Sequence, residues 1–343
     1  VFVAMSGGVD SSVAAALLKR DGFGVVGVYM KCWAEGAVCT SQDDERSARL
    51  AAAHLGIPFY TWNFIKEYRK KVVEYMLKGY EKGITPNPDI MCNKEIKFGL
   101  FFERAMTLGA DYIATGHYAR LRQGFGGQAR ILAAKDQNKD QSYFLSFIKP
   151  QALSRVLFPI GEYTKPKVRE LARKFGLPNA DRKDSQGICF IGKVDFNEFL
   201  KQHIPSDPGD IVDPVGKVLG KHDGLALYTI GQRKGIGLSG GPYYVLRKDV
   251  EHNVLVITKD ERDLAAKEAF VEQVHWLSAR GGQHPLLVET KLRYRSPSAR
   301  AILQPEEHNT FKLIFDEPQR AATPGQFAVF YKGEEMLGGG VIR

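Results

Sequence analysis

The first twenty residues constrain the fold more than any other stretch. Val1-Phe2-Val3-Ala4-Met5 is a strand-like apolar run, Ser6-Gly7-Gly8-Val9-Asp10-Ser11-Ser12 turns the chain, and Ser11–Arg20 reads as a helix. Two adjacent glycines permit a tight turn and a close approach of backbone N–H groups to an anion. Ser11 and Ser12 add hydroxyls at a helix N-terminus, where the dipole and the unpaired N–H groups favour phosphate. Asp10 supplies a carboxylate for a Mg²⁺ carried on that phosphate, since hard cations take oxygen ligands. The loop lacks the Walker A lysine and is not a G-x-G-x-x-G turn.

Alternation continues from there. Gly24–Met30 reads as a strand, Asp43–Leu55 as a helix ending at Gly56, Pro58–Asn63 as a strand and Lys66–Glu81 as a helix. Asn93–Leu108 is a further helix and Tyr112–Thr115 a further strand. Such an order argues for a parallel sheet covered by helices, an α/β fold. The pattern changes near residue 200, where Pro205, Pro208, Gly209, Pro214 and Gly216 break the chain. Short apolar runs follow, such as Ala226–Ile230 and Val254–Thr258. From Val288 onward closely spaced alternating segments, Thr310–Phe315 and Gln326–Tyr331 among them, predict a small all-β sandwich or barrel. Gly124-Phe125-Gly126-Gly127 reads as a hairpin turn.

Composition matters mainly through charge. The 343 residues carry 48 Lys+Arg against 39 Asp+Glu, a net +9. Residues 117–183 hold 14 basic and 5 acidic side chains, so the whole excess lies there. Part of it sits on a helix from Lys165 to Phe175. Val168, Leu171, Ala172 and Phe175 fall at i, i+3, i+4, i+7 and face the core, which places Lys165, Lys167, Arg169, Arg173 and Lys174 mostly outside. Thr164 is the expected N-cap and Gly176 the expected stop. A local basic excess of this size favours a phosphate backbone as partner. With 44% hydrophobic and 25% charged residues the chain is outside the disordered and collagen classes. It has no apolar run long enough for a membrane span, so no membrane partner is expected. No signal peptide is legible, although a segment preceding Val1 stays open.

Four cysteines in 343 residues, Cys32, Cys39, Cys92 and Cys189, indicate a reducing compartment rather than a disulfide scaffold. Cys92 follows Thr85-Pro86-Asn87-Pro88-Asp89-Ile90-Met91 and precedes Asn93. The spacing puts Cys92 at or near a helix N-terminus, where the dipole lowers a thiol pKa. Asp89, three residues earlier, is placed to move protons in the same site. Cys189 lies in Gln186-Gly187-Ile188-Cys189-Phe190-Ile191-Gly192, which reads either as a mobile loop or as a short buried strand, Ile188–Ile191. Cys32 and Cys39 read as structural, and the spacings lack the tight clusters of an iron–sulfur site.

Ser6–Ser12 resembles the PP-loop of ATP pyrophosphatases. Taken with TPNPDIMCNKEIKF, ATGHYAR, KDQSYFL, GICFIG, TIGQRKGIG and PGQFAVFY in that order, the chain resembles the tRNA-specific 2-thiouridylases from Ala4 to its C-terminus. The resemblance implies a PP-loop α/β domain over 1–204, a small central domain over 205–262 and a C-terminal β-barrel over 263–343. It implies adenylation of the C2 oxygen of the wobble uridine of tRNA by ATP with Mg²⁺. Replacement by sulfur then gives 2-thiouridine, AMP and pyrophosphate. By the same resemblance Ala4, Met5, Ser6, Gly7, Gly8, Val9, Asp10, Ser11, Met30 and Gly116 match the ATP site. Cys92 matches the nucleophile and Cys189 the persulfide carrier, the two ending as a disulfide, with Asp89 handling protons. Asn87, Pro88 and Asp89 match the segment that meets the target base, and His117, Lys139, Asp140, Gln141, Arg293, Tyr294 and Gln326 match tRNA contacts. The implied partners are tRNAs for Lys, Glu and Gln and a sulfur-relay protein or cysteine desulfurase. The expected location is the cytoplasm, with the mitochondrion open. Two other readings predict different behaviour. An amidating synthetase with a PP-loop needs neither cysteine, and a silent tRNA-binding protein forms no AMP.

Overall fold

The computed structural model describes residues 1–33, 41–123, 129–183, 196–277, 282 and 284–343. Cys39, the Gly124–Gly127 turn and Cys189 lie outside the described residues.

A parallel sheet forms the N-terminal half. Its strands are β1 (Phe2–Ala4), β2 (Val26–Lys31), β3 (Phe59–Asn63), β4 (Ile113–Thr115) and the short Val156–Leu157, in the order β3-β2-β1-β4-Val156–Leu157. β1 lies between β2 and β4, with Val3 opposite both Gly27 and Ala114. Alternate residues of a strand face opposite sides, and both sides of this sheet are covered. Val3, Met5 and Tyr29 pack with Ala15, Leu18, Ala48, Ala51 and Ala52 of α1 (Val9–Arg20) and α2 (Ser41–His54). Ala4, Val28 and Met30 pack on the other side with Trp62, Phe64 and the buried faces of the next helices. Those helices contain wide π-turns: Ile65–Tyr68, Arg69–Val73 and Glu74–Glu81 run on in one stretch, as do Pro88–Cys92, Asn93–Phe101 and Phe102–Thr107. The chain leaves β1 towards β2 and β3 and returns to β4 on the other flank. The strand order reverses between β1 and β4, the switch point beside which open α/β sheets bind their ligands.

After the helix Phe196–His203, the strands Tyr244–Asp249, Val254–Thr258, Gly209–Val212 and Val218–His222 form a second sheet in that spatial order. Ile211, Leu225, Tyr228, Val245, Leu255 and Ile257 make its core. Of the two apolar runs read in the sequence, Val254–Thr258 is a strand. Ala226–Ile230 is not, since Leu225–Leu227 is a single helical turn. Gly224, at φ 135, ends the preceding extended stretch in a conformation that side-chain residues rarely adopt.

The C-terminal module is a closed barrel rather than a sandwich. Ala265–Trp276 pairs with Phe311–Arg320 on one side and Glu335–Ile342 on the other, which closes the ring through Ala299–Pro305, Leu286–Lys291 and Phe327–Lys332. Ala299, Ala301 and Leu303 point inward and Arg300, Ile302 and Gln304 outward, the period of two expected of a strand with one buried face. The antiparallel pair Arg120–Gln123 and Ala129–Leu132 of the first half extends the barrel sheet, with Leu132 opposite Glu335. No helix among the described residues is long and apolar enough to cross a membrane.

Candidate active site

The phosphate loop sits where β1 ends, at the switch point. Gly7 adopts φ +82, and a Cβ there would stand 2.2 Å from the Asp44 carbonyl oxygen of α2, so neither the conformation nor the space admits a side chain. Gly8 is the N-cap of α1, with the hydroxyls of Ser11 (3.1 Å) and Ser12 (3.2 Å) donating to its carbonyl. The Ser6 N–H donates to Ser11 Oγ at 3.2 Å. Ser47 Oγ, Asn179 Nδ2 and Arg182 Nη1 all donate to the Gly7 carbonyl, at 2.8, 2.9 and 3.2 Å. Across the switch point, a Cβ on Gly116 would lie 2.6 Å from the Ser11 nitrogen. Glycine at 116 therefore lets the backbone after β4 touch the start of α1. Met5 points into the core under the loop, and Met30 is buried at the end of β2.

Asp10 departs from its expected role. Lys165 Nζ reaches both of its carboxylate oxygens, at 2.7 and 2.9 Å, and the Tyr118 hydroxyl donates to Oδ1 at 3.0 Å. A cation is thus already in place on the carboxylate expected to hold Mg²⁺. The donor set does not fit a metal ligand without displacement of Lys165, and no step is routed through a metal at Asp10. Lys165 is also a correction to the helical reading. It is buried, not on the outer face, because the first residue of Lys165–Lys174 points back over the preceding turn towards α1. Val168, Leu171 and Ala172 are buried as the spacing predicts. Thr164 takes the N-cap position with no side-chain capping bond, and Asp136 Oδ2 accepts the Lys165 N–H instead (2.8 Å).

The cysteine arm begins earlier than its prolines imply. Asn87 is the N-cap, its Oδ1 accepting the Ile90 N–H at 3.1 Å, and Pro88 occupies the first turn. The helix starts at Pro88 and runs on through Asn93–Phe101 and Phe102–Thr107, so Cys92 is its fifth residue, past the first turn, not at its N-terminus. Asp89, half-buried in the first turn, takes the position where the dipole favours an anion. The Cys92 thiol is fully buried. Asn93 Nδ2 donates to the Asp89 carbonyl (3.0 Å), and Asn93 Oδ1 is buried with no hydrogen-bond partner among the described residues. That leaves an unused acceptor beside Cys92.

His117 joins the two halves. It follows Gly116, its Nδ1 lies 2.6 Å from Thr115 Oγ1, and its ring stands 5.8 Å from Phe98 on the continuation of the cysteine helix. Burial, with a smaller push from Lys97, drives its pKa well below the usual histidine value. The imidazole is therefore neutral near pH 7 and can act as donor or acceptor without charge.

The remaining residues assigned to tRNA contact have partners inside the protein. Asp140 is buried, accepts the N–H groups of Ala134 and Ser142 (3.0 and 3.1 Å), and pairs with Lys291 of the barrel at 3.0 Å. Gln141 exchanges bonds with Tyr118 through Oε1 (3.0 Å) and its own N–H (2.8 Å). Lys139 is half-buried. Arg293 donates to the Ile230 carbonyl (2.8 Å) and to Thr323, tying the central module to the barrel. Tyr294 packs on Phe144, with ring centroids 4.5 Å apart. Gln326 Nε2 donates to the Thr85 carbonyl at 2.8 Å, and the Thr85 N–H donates to the Pro324 carbonyl at 2.9 Å. Sequence reasoning missed Lys165, Ser47, Asn179 and Arg182.

Residues 1–193 match the family model described as tRNA methyl transferase HUP domain. Residues 197–259 match the tRNA methyl transferase PRC-barrel domain and 266–342 the aminomethyltransferase beta-barrel domain. The chain is 47% identical over 349 residues to the tRNA-specific 2-thiouridylase MnmA of Halalkalibacterium halodurans, covering 100% of this chain and 94% of that protein. It is 48% identical over 349 residues, with the same coverage, to the tRNA-specific 2-thiouridylase MnmA 2 of Geobacillus kaustophilus. The chain belongs to the tRNA-specific 2-thiouridylase family. The family match spans the Ser6–Ser12 loop after β1 and the helix that carries Asp89 and Cys92. The three family models also run in the same order as the three modules of the fold.

Proposed function

We propose that this chain is a tRNA-uridine 2-sulfurtransferase that uses ATP to replace the C2 oxygen of the wobble uridine with sulfur. The observation that carries the reading is the junction at Gly116-His117. There the phosphate loop and the Cys92 helix meet the end of the same strand. In this reading Ala4–Ser11, Met30 and Gly116 bind ATP, and Mg²⁺ arrives with the nucleotide. Asn87, Pro88 and Asp89 meet the base, while His117, Lys139, Asp140, Gln141, Arg293, Tyr294 and Gln326 form or support the tRNA surface.

The amide-like C2 oxygen is a poor leaving group, and adenylation converts it to AMP with loss of pyrophosphate. Cys189 carries the sulfur as a persulfide. In one route its terminal sulfur attacks C2, AMP leaves, and the Cys92 thiolate then attacks Cys189 Sγ, freeing 2-thiouridine. In the other, Cys92 attacks first and releases hydrosulfide, which attacks C2. Both routes end in a Cys92–Cys189 disulfide that an external dithiol reduces. Asp89 takes up or delivers the protons. The sulfur comes from a relay protein or a cysteine desulfurase, the tRNAs are those for Lys, Glu and Gln, and the compartment is the cytoplasm or the mitochondrion. The modules divide at 204/205 and 262/263.

The test is incubation with unmodified tRNA, Mg-ATP and a sulfide source, followed by nucleoside mass spectrometry. An ATP-dependent 2-thiouridine peak is expected. AMP formation on a small amide-forming substrate, with no thiouridine, overturns the reading.

A further inference from the structure

The donors on the Gly7 carbonyl go beyond what loop binding requires. A carbonyl oxygen has two lone pairs, yet three side chains from two separate segments converge on this one: Ser47 from α2, and Asn179 and Arg182 from the turn after Lys165–Lys174. Asn179 is 6% exposed, and its amide is oriented without ambiguity. Its neighbours are the Gly7 carbonyl, which can only accept, and Ser12 Oγ at 3.0 Å, whose proton goes to the Gly8 carbonyl. The NH₂ group therefore faces the loop. Arg182 is held in turn by an ion pair to Asp44, the residue whose backbone closes against Gly7. A cleft of about 460 Å³ lined by Asp43, Ser47, Asn179 and Arg182 lies behind this cluster.

In a planar trans peptide the C=O of one residue and the N–H of the next point in opposite directions. Three donors on the Gly7 oxygen hold it towards α2 and the 179–182 turn, and so aim the Gly8 N–H the other way, to the exposed side of the loop, where a long bond to Ser6 Oγ (3.4 Å) leaves it open to a stronger acceptor. They also polarise the peptide and strengthen that N–H as a donor. Glycine at both positions leaves this peptide free to flip, and a flipped peptide would turn a carbonyl oxygen towards the phosphates. We propose that Asn179, with Ser47 and Arg182, is a positioning clamp for nucleotide binding, which keeps the Gly7 oxygen out of the phosphate site and the Gly8 N–H in it. The clamp rests on the reading of Ser6–Ser12 as the ATP loop.

The test is Mg-ATP affinity of the full chain by calorimetry, for wild type, Asn179→Ala, Asn179→Asp and Ser47→Ala, with the melting temperature and tRNA affinity measured alongside. Asn179→Asp is the diagnostic variant. It keeps the shape and places an oxygen against the Gly7 oxygen, so a packing role predicts wild-type behaviour and the clamp predicts the largest loss. We expect ATP affinity to fall roughly 10- to 100-fold in Asn179→Asp, less in Asn179→Ala and least in Ser47→Ala, the scale of a hydrogen bond to a charged group. Affinity for tRNA stays unchanged. The Gly8 amide resonance shifts upfield in the same order, a signature that loosened packing does not produce. Wild-type ATP affinity in a folded Asn179→Asp protein overturns the clamp alone. A wild type that binds no Mg-ATP overturns both the clamp and the reading beneath it.

Discussion

The phosphate loop is held by its own half of the molecule: Ser47, Asn179 and Arg182 on Gly7, Lys165 and Tyr118 on Asp10. The Cys92 arm is held from across the chain. Thr85 and Pro86, which lead into it, are bonded to Pro324 and Gln326 of the barrel, about 240 residues away. Tyr143 is tied to the Phe327 carbonyl (3.1 Å) in the same region. The difference separates two duties. A nucleotide site can be completed within one βα unit, because backbone N–H groups and a helix N-terminus already suit phosphate. In the proposed reading the Cys92 arm meets a base of tRNA, and its rigidity then depends on how the barrel docks against it.

The sharpest break between the two halves is Cys92→Ser. In the sulfur-transfer reading it removes the only described thiol placed beside Asp89, and thiolation turnover should fall at least about 10³-fold. ATP affinity should stay within about twofold, as the hydrogen bonds that hold the loop come from Ser47, Asn179 and Arg182. Equal losses in turnover and ATP binding would mean that the halves are one unit.

Next in size is the Lys165–Asp10 pair. Removing one partner of a buried ion pair costs about 3–5 kcal/mol. Asp10 is about one-third exposed, at 30% of its side chain, so screening reduces the figure. Lys165→Met should cost about 2 kcal/mol in urea unfolding, and Asp10→Asn on top of it should recover part of that. A double variant no more stable than the single would show that Tyr118, not charge balance, governs Asp10.

Legibility followed the same division. β1, the loop and α1 could be read because strand, glycine turn and helix are adjacent in sequence and each choice is local. The alternation of Thr310–Phe315 and Gln326–Tyr331 announced two barrel strands, Phe311–Arg320 and Phe327–Lys332, for the same reason. Lys165 was not legible, since its partner lies 155 residues away and periodicity assigns lysine to the wet face by default. Gln326 on Thr85 is hidden by the same distance. The start of the Cys92 helix was present in the sequence as an Asn N-cap followed by proline. Reading the two prolines only as a rigid approach put the helix start about five residues late.

The Gln326 bonds offer a smaller effect that tests the barrel's grip. Gln326→Ala removes the donor to the Thr85 carbonyl and the longer one, 3.4 Å, to Pro86. The net cost should be about 1 kcal/mol of stability. With the arm loosened, kcat for thiolation should fall roughly 5- to 10-fold at unchanged ATP affinity. An ATP affinity that moved with kcat would place the barrel in control of the loop as well.

The smallest effect is on pH, at the joint between the halves. His117 has its pKa pushed well below 6.5 by burial, while the unfolded chain titrates near the usual value. Between those two pKa values the unfolded state binds the extra proton, so stability rises with pH there. His117 should therefore cost nothing above about pH 6.5 and should destabilise the fold progressively as pH falls below it, by at most about 1.4 kcal/mol per pH unit. His117→Gln removes the titration while keeping a group able to bond Thr115. The difference in unfolding free energy between wild type and His117→Gln should be flat from pH 8 to about 6.5 and then narrow, as the wild type alone loses stability. Carboxylates titrate in both proteins and cancel in the difference. A difference that stays constant down to pH 5 would mean that the imidazole is already charged in the fold. The Gly116-His117 junction would then present a cation to the site rather than a neutral ring.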